Sequence, residues 1–228
     1  MVNIREQVAR KAQHLQEQLE KNPNLSPYID QHYPIPDIFL GTGDIRLVII
    51  GQDPTVKNPS SRGQIKVVLN LDKKGSVRAY ISQICEEFKL ELDKNVYATN
   101  LFKNFFVRPP TQIKECDILD IFSQYWLPLL REELKMFPNV PIITLGEPLL
   151  RVLLIDRSKA RVRKYWDYKQ GWQVNKANRP TAFSFVVPKD NKLGRMLFPF
   201  PHQPSLIKKF YTCTLREYLN YMKTKTYP

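Results

Sequence analysis

Cysteine and glycine are scarce in this 228-residue sequence, and each shortage excludes a class of functional site. The three cysteines, Cys85, Cys116 and Cys213, are too few for a cluster held by four thiolates and too scattered for a zinc knuckle. The eight glycines form no phosphate-binding loop behind a predicted strand, which argues against an enzyme that processes free nucleotides. We therefore expect inert thiols, no metal and no redox cofactor.

Long apolar runs are absent as well. No segment approaches the roughly 18 consecutive apolar residues of a membrane helix, and the first residues lack the apolar core of a signal peptide. We therefore expect an intracellular protein, cytoplasmic in a bacterium, with no membrane partner. The length is typical of one α/β domain, so residues 1–228 are expected to form a single monomeric domain.

Acidic residues are outnumbered, with 22 Asp and Glu against 35 Lys and Arg and a net charge of +13. Such an excess favours a polyanionic partner, because neutralised phosphates release their counterions. The bases are dense in a predicted insertion, about residues 157–179, which we call the basic aromatic segment. It contains Arg157, Lys159, Arg161, Arg163, Lys164, Lys169, Lys176 and Arg179, together with Tyr165, Trp166, Tyr168 and Trp172.

Two interpretations of the basic aromatic segment stay open. It is either a solvated loop with a few anchoring aromatics, or a surface that pairs with phosphates and stacks on bases. Under the second interpretation Arg161, Arg163 and Lys164 form an added DNA clamp, and DNA is the partner.

Hydrophobic periodicity predicts strands that alternate with helices, which is typical of a largely parallel sheet covered on both faces. The predicted strands are residues 47–50, 66–71, 96–99, 140–145, 182–187 and 195–200. The predicted helices are residues 3–21, 77–88, 118–134, 149–154 and 208–222. Residues 57–63 are predicted to be an exposed loop.

Polar residues follow three of the predicted strands. They are Asp53, Asn100 and His202. Open α/β sheets bind ligands beyond the carboxyl ends of their strands, so these side chains are candidates for one shared site. The alternative gives each residue a local role, in which Asp53 forms a turn, Asn100 caps the next segment and His202 is an interior histidine.

The sequences around these residues resemble the uracil-DNA glycosylase superfamily. The resemblance rests on Gly51-Gln52-Asp53-Pro54, on Asn100 after the next inner strand, and on His202-Gln203-Pro204-Ser205-Leu206. It implies a three-layer α/β/α sandwich around a mainly parallel four-stranded sheet, with DNA bound across the strand ends. It also implies a monofunctional enzyme that hydrolyses the N-glycosidic bond of uracil or a related damaged base.

The same resemblance implies roles for individual residues. Asp53 orients the attacking water and stabilises positive charge on the deoxyribose, while the backbone at Gly51 and Gln52 contacts the base. Asn100 binds the uracil edge with its amide. His202 donates a hydrogen bond to the uracil oxygen that gains negative charge, which is typically worth about 3 kcal/mol.

DNA contacts follow from the resemblance too. Leu206 corresponds to the wedge that fills the gap left by an extruded nucleotide. Ser205, Lys208 and Lys209 are expected to hold backbone phosphates.

Several positions depart from the family pattern. Thr55 stands where the best-known branch has a tyrosine that excludes thymine, and Leu69 stands near the expected position of the aromatic that stacks on uracil. Gln203 interrupts the usual His-Pro-Ser. These changes predict a divergent glycosylase with slower or altered base selection. The alternative is a non-catalytic DNA-binding module that keeps the glycosylase fold.

Overall fold

Buried strands and the helices around them account for most of the computed structural model, which describes residues 4–169, 182–202 and 209–226. The strands are β1 (Phe39–Leu40), β2 (Leu47–Gly51), β3 (Val96–Asn100), β4 (Ile142–Leu145) and β5 (Leu197–Phe200). The helices are α1 (Ile4–Lys21), α2 (Ser76–Glu87), α3 (Leu92–Asn95), α4 (Ile118–Lys135), α5 (Glu147–Leu153), α6 (Val162–Tyr165) and α7 (Lys209–Thr226).

The strands form one sheet in the order β1-β3-β2-β4-β5. β3, β2, β4 and β5 are parallel, and β1 pairs antiparallel with the outer edge of β3. The α/β class is confirmed, but the expected count of four strands is wrong by one. The additional strand, β1, has only two residues, which is too short for a periodic pattern to reveal.

Helices cover both faces of the sheet. On one face, the hydroxyls of Tyr97 and Thr99 in β3 donate to Glu133 Oε2 of α4 at 2.6 and 2.9 Å. The strand registers place Phe200 of β5 on the other face, where it contacts Tyr218 of α7 with ring centroids 5.3 Å apart. Inner strands buried on both faces explain the continuous apolar runs of β2 and β4.

A buried ion pair holds the chain just beyond β3. Lys103 Nζ lies 2.7 Å from Glu133 Oε1 and donates to the Thr99 hydroxyl. Burial lowers the pKa of Lys103, and the Glu133 carboxylate opposes this shift. The pair attaches the segment that follows Asn100 to α4. Losing either partner would leave an uncompensated buried charge, which is strongly destabilising.

Two predicted strands are wrong. Within residues 66–71, the chain forms a short 3₁₀ helix, Val68–Asn70, in which Leu69 and Asn70 have φ of 58° and 51°. Of residues 182–187, only Val186 pairs with a strand residue, Leu197, in an isolated bridge. Apolar side chains in both segments pack against the core without a ladder, and periodicity does not distinguish this packing from a strand.

The helix predictions are confirmed, with shifts of a few residues at their ends. Pro128 lies inside α4. Within the described ranges, no helix combines the length and the apolar character that crossing a membrane requires.

Candidate functional site

The site begins where β2 and β3 end side by side. Gly51 is in register with Asn100, and a Cβ on Gly51 would lie 2.2 Å from Asn100 Oδ1 and 2.9 Å from Leu69 Cδ2. No side chain fits there without displacing a neighbour, so glycine is required by the close approach of Asn100 and Leu69. Three of the residues predicted to bind the base therefore meet at one point.

Asn100 provides an unusual polar group at this point. The residue is 1% exposed, and its Oδ1 has no hydrogen-bond partner among the residues that the structure describes. Leaving a buried acceptor unpaired costs about 1–3 kcal/mol, so such groups call for an explanation. A bound ligand that donates a hydrogen bond would remove this cost.

Asp53 lies two residues beyond β2 and is half-buried. Its Oδ1 accepts a hydrogen bond from the Thr55 N–H at 2.8 Å, and its Oδ2 accepts one from Gln52 Nε2 at 2.7 Å. Burial raises the pKa of Asp53 to about 6, although these hydrogen bonds and the charge of Arg62 oppose the shift. The carboxylate is therefore ionised near neutral pH and held in one orientation.

Thr55 connects the Asp53 loop to a distant part of the chain. Its hydroxyl accepts a hydrogen bond from the Phe106 N–H at 2.8 Å. Nearby, the carbonyl oxygens of Gly51 and Gln52 accept from the N–H groups of Leu101 and Phe102. Thr55, which is predicted to contact the base, thus also anchors the Asp53 loop. The Gln52 side chain is hydrogen-bonded to Asp53.

His202 follows β5, and the residue as a whole is exposed. Protein atoms around the imidazole remove part of its hydration, which lowers the pKa of His202. A Cβ built on Gly146, directly after β4, would lie 3.6 Å from His202 Cβ. Since β4 separates β2 from β5, two strand spacings, about 10 Å, separate the ends that lead to Asp53 and His202. Both residues lie at the same edge of the sheet, and a neutral imidazole can donate one hydrogen bond there.

Several of the predicted DNA contacts follow His202 in the sequence. Gln203, Ser205, Leu206 and Lys208 lie outside the described residues. Lys209 is described, and it is the exposed first residue of α7.

A groove of about 1090 Å³ continues from the His202 side of the site. Glu147 and Pro148, which follow Gly146, line it, and so do the exposed Arg161, Arg163 and Lys164. In contrast to these three, the further groove residues Arg151 and Arg157 are paired with Asp117 at 3.3 and 3.6 Å. Among the described residues, no ion pair involves Arg161, Arg163 or Lys164, although Lys164 Nζ donates to the Ser158 carbonyl at 3.4 Å and its charge acts on Asp156. Glu147 and Asp117 also line the groove.

The aromatic side chains of the basic aromatic segment divide into two groups. Tyr165 and Trp166 are buried, and Trp166 stacks on Tyr218 with centroids 4.3 Å apart and donates to the Pro199 carbonyl at 2.7 Å. Tyr168 is 42% exposed, and Trp172 lies outside the described residues. The idea that Tyr165 and Trp166 stack on bases is therefore wrong, because both rings anchor the segment to the core.

Arg62 is a residue of this site that the sequence patterns did not indicate. It lies in the segment predicted to be an exposed loop, yet it is only 2% exposed. Its buried position depends on contacts with residues more than 30 positions away, for which the local sequence carries no signal.

The described residues contain no group of three or more His, Cys, Asp or Glu side chains arranged to hold a metal ion. Of the three thiols, Cys85 is buried, Cys116 is half-buried and Cys213 is exposed. Burial raises the pKa of Cys85 to about 12, which makes this thiol unreactive.

Comparison with known proteins leaves the family open. No protein-family model matches the chain, and no curated protein matches it.

Proposed function

We propose that this protein is a DNA glycosylase of the uracil-DNA glycosylase superfamily, with that family's three-layer fold. In this proposal it hydrolyses the N-glycosidic bond of uracil or a related damaged base in DNA, as in base excision repair. The observation that carries the proposal is the buried, unpartnered Asn100 Oδ1 beside the Asp53 loop. The edge of a pyrimidine such as uracil supplies a ring N–H for this acceptor.

Recognition of the base would use the groups around Gly51. Asn100 Oδ1 accepts the ring N–H, and the amide nitrogen donates to the adjacent carbonyl oxygen. Leu69 packs against the base without offering an aromatic face. Because the tyrosine of the best-known branch is replaced by Thr55, we expect weaker exclusion of the thymine methyl group.

Catalysis would use the two ends of the site. The ionised Asp53 orients a water toward the sugar carbon and stabilises the positive charge that develops as the glycosidic bond breaks. His202 donates a hydrogen bond to the base oxygen that gains negative charge. Addition of the water yields the free base and an abasic site, with the bonding electrons leaving on the base.

DNA would bind across the strand ends with the target nucleotide extruded, since the bond is inaccessible in a stacked duplex. The groove supports this arrangement because Arg161, Arg163 and Lys164 line it and none of the three forms an ion pair among the described residues. We propose that these residues clamp the backbone, that Ser205, Lys208 and Lys209 bind phosphates, and that Leu206 is the wedge.

The test is base release from oligonucleotides that contain uracil, hypoxanthine, xanthine or mismatched thymine. Asp53→Asn and His202→Ala should each slow release by about 100-fold or more while DNA affinity stays near the wild-type value. Lys57→Gln, which removes an exposed charge near Asp53, is the matched control. Salt-sensitive DNA binding without release of any base would instead support the non-catalytic DNA-binding module.

A further inference from the structure

Arg62 is a buried cation whose hydrogen bonds converge on the candidate site. Its Nη1 lies 2.6 Å from Asp30 Oδ2 and donates to the carbonyl oxygens of Phe106 and Val107 at 2.9 and 3.1 Å. Its Nε donates to the Val56 carbonyl at 3.3 Å. Removing a guanidinium from water is costly, and here one carboxylate and three carbonyl oxygens compensate for it.

These bonds form a continuous path to Asp53. Arg62 holds the carbonyl of Phe106, and the N–H of Phe106 donates to the Thr55 hydroxyl at 2.8 Å. The N–H of Thr55 then donates to Asp53 Oδ1 at 2.8 Å. A second link runs through Val56, the residue after Thr55. Arg62 thus holds the Asp53 loop on one side and the segment after β3 on the other.

We propose that Arg62 is a positioning residue that, through Phe106 and Thr55, fixes the Asp53 carboxylate in the orientation that base release requires. This inference rests on the proposed function only in the role that it gives to Asp53. Arg62 contacts neither the base nor the water in this arrangement, so it is not a catalytic residue.

The charge of Arg62 supports the same role. Burial raises the pKa of Asp53, and the Arg62 guanidinium is among the groups that oppose the increase. Without this charge, the carboxyl group would hold its proton to a higher pH. The Asp53 pKa therefore reports the charge of Arg62, whereas kcat reports the orientation that its hydrogen bonds impose.

The experiment compares wild type with Arg62→Gln, Arg62→Lys and the control Lys57→Gln, which removes an exposed charge without these contacts. The pKa of Asp53 is measured on the free protein from the NMR chemical shift of its carboxyl carbon. Base release is measured as a function of pH. Arg62→Gln should raise the Asp53 pKa and move the acidic limb of base release upward by the same amount. It should also lower kcat by about 10–100-fold with little change in KM.

Arg62→Lys should keep most of the effect of the positive charge on Asp53 but lose the hydrogen bonds that orient its carboxylate. The Asp53 pKa should therefore stay near the wild-type value while kcat falls. Thr55→Val breaks the link between Phe106 and the Asp53 loop with the Arg62–Asp30 ion pair intact, but it also removes the hydrogen bond by which the Thr55 side chain itself lowers the Asp53 pKa. Arg62→Lys therefore decides the matter if Arg62→Gln does not fold. Thr55→Val should raise the Asp53 pKa, and Thr55→Ser should restore it. An unchanged Asp53 pKa in folded Arg62→Gln, or an unchanged kcat in folded Arg62→Lys, would overturn the inference. A wild-type protein that releases no base would refute the proposed function alone, because the NMR titration still tests Arg62.

Discussion

Gly51→Ala tests the geometry of the site with a single methyl group. The added Cβ would lie 2.2 Å from Asn100 Oδ1, whereas Cβ contacts in proteins essentially never fall below 3.0 Å. The Asn100 amide must therefore move by about 0.8 Å. Leu69 Cδ2, at 2.9 Å from the same Cβ, must also move. A displacement near 1 Å of a group that positions the substrate can cost about 100-fold in rate.

The assay is single-turnover release of uracil, measured well below the midpoint of thermal unfolding because overpacking costs about 1–3 kcal/mol. Gly75→Ala is the matched control, since a Cβ there meets no atom within 4 Å. The methyl group is expected to act through Asn100, so Gly51→Ala combined with Asn100→Ala should be no slower than Asn100→Ala alone. Additive losses in the double variant, or wild-type release by Gly51→Ala, would refute the reasoning.

Three further predictions concern Asp53 and the groove. Base release should fall as the pH drops through about 6, because the carboxylate takes up a proton there. Since the folded pKa lies above the ordinary 3.8, Asp53 lowers stability increasingly as the pH rises from about 4 to 6, so Asp53→Asn should raise the melting temperature at pH 7 more than at pH 4. A flat pH–rate profile between pH 5 and 7 would contradict this role of Asp53. Replacing Arg161, Arg163 and Lys164 together with alanine should reduce the slope of log affinity against log salt by up to about three. An unchanged slope would show that these residues are only solvated.

Local patterns in the sequence predicted which segments form the inner strands. The continuous apolar runs at β2 and β4 reflect burial on both faces, which also indicated a parallel sheet. Given such a sheet, Asp53 and Asn100 were expected at one edge, and the register of Gly51 with Asn100 agrees with this. The short edge strand β1 left no such pattern because two residues do not define a period.

The false strand at residues 66–71 shows the limit of periodicity. Its apolar residues pack against the core, yet Leu69 and Asn70 turn the chain with positive φ and bring Leu69 against Gly51. Backbone conformation of this kind is decided by what the side chain packs against. A leucine in the left-handed region is uncommon, so propensity opposed the observed conformation.

By itself, the sequence determined the alternation of strands and helices and the polar residues at the strand ends, because both depend on neighbours within a few positions. Only the tertiary structure decided which polar and aromatic groups are buried. Thr55 is hydrogen-bonded to Phe106, 51 positions away, and Arg62 to Asp30, 32 positions away. Trp166 lies among basic residues in the sequence, yet its ring stacks on Tyr218. Such pairings arise when distant segments exclude water together, so no local pattern predicts them.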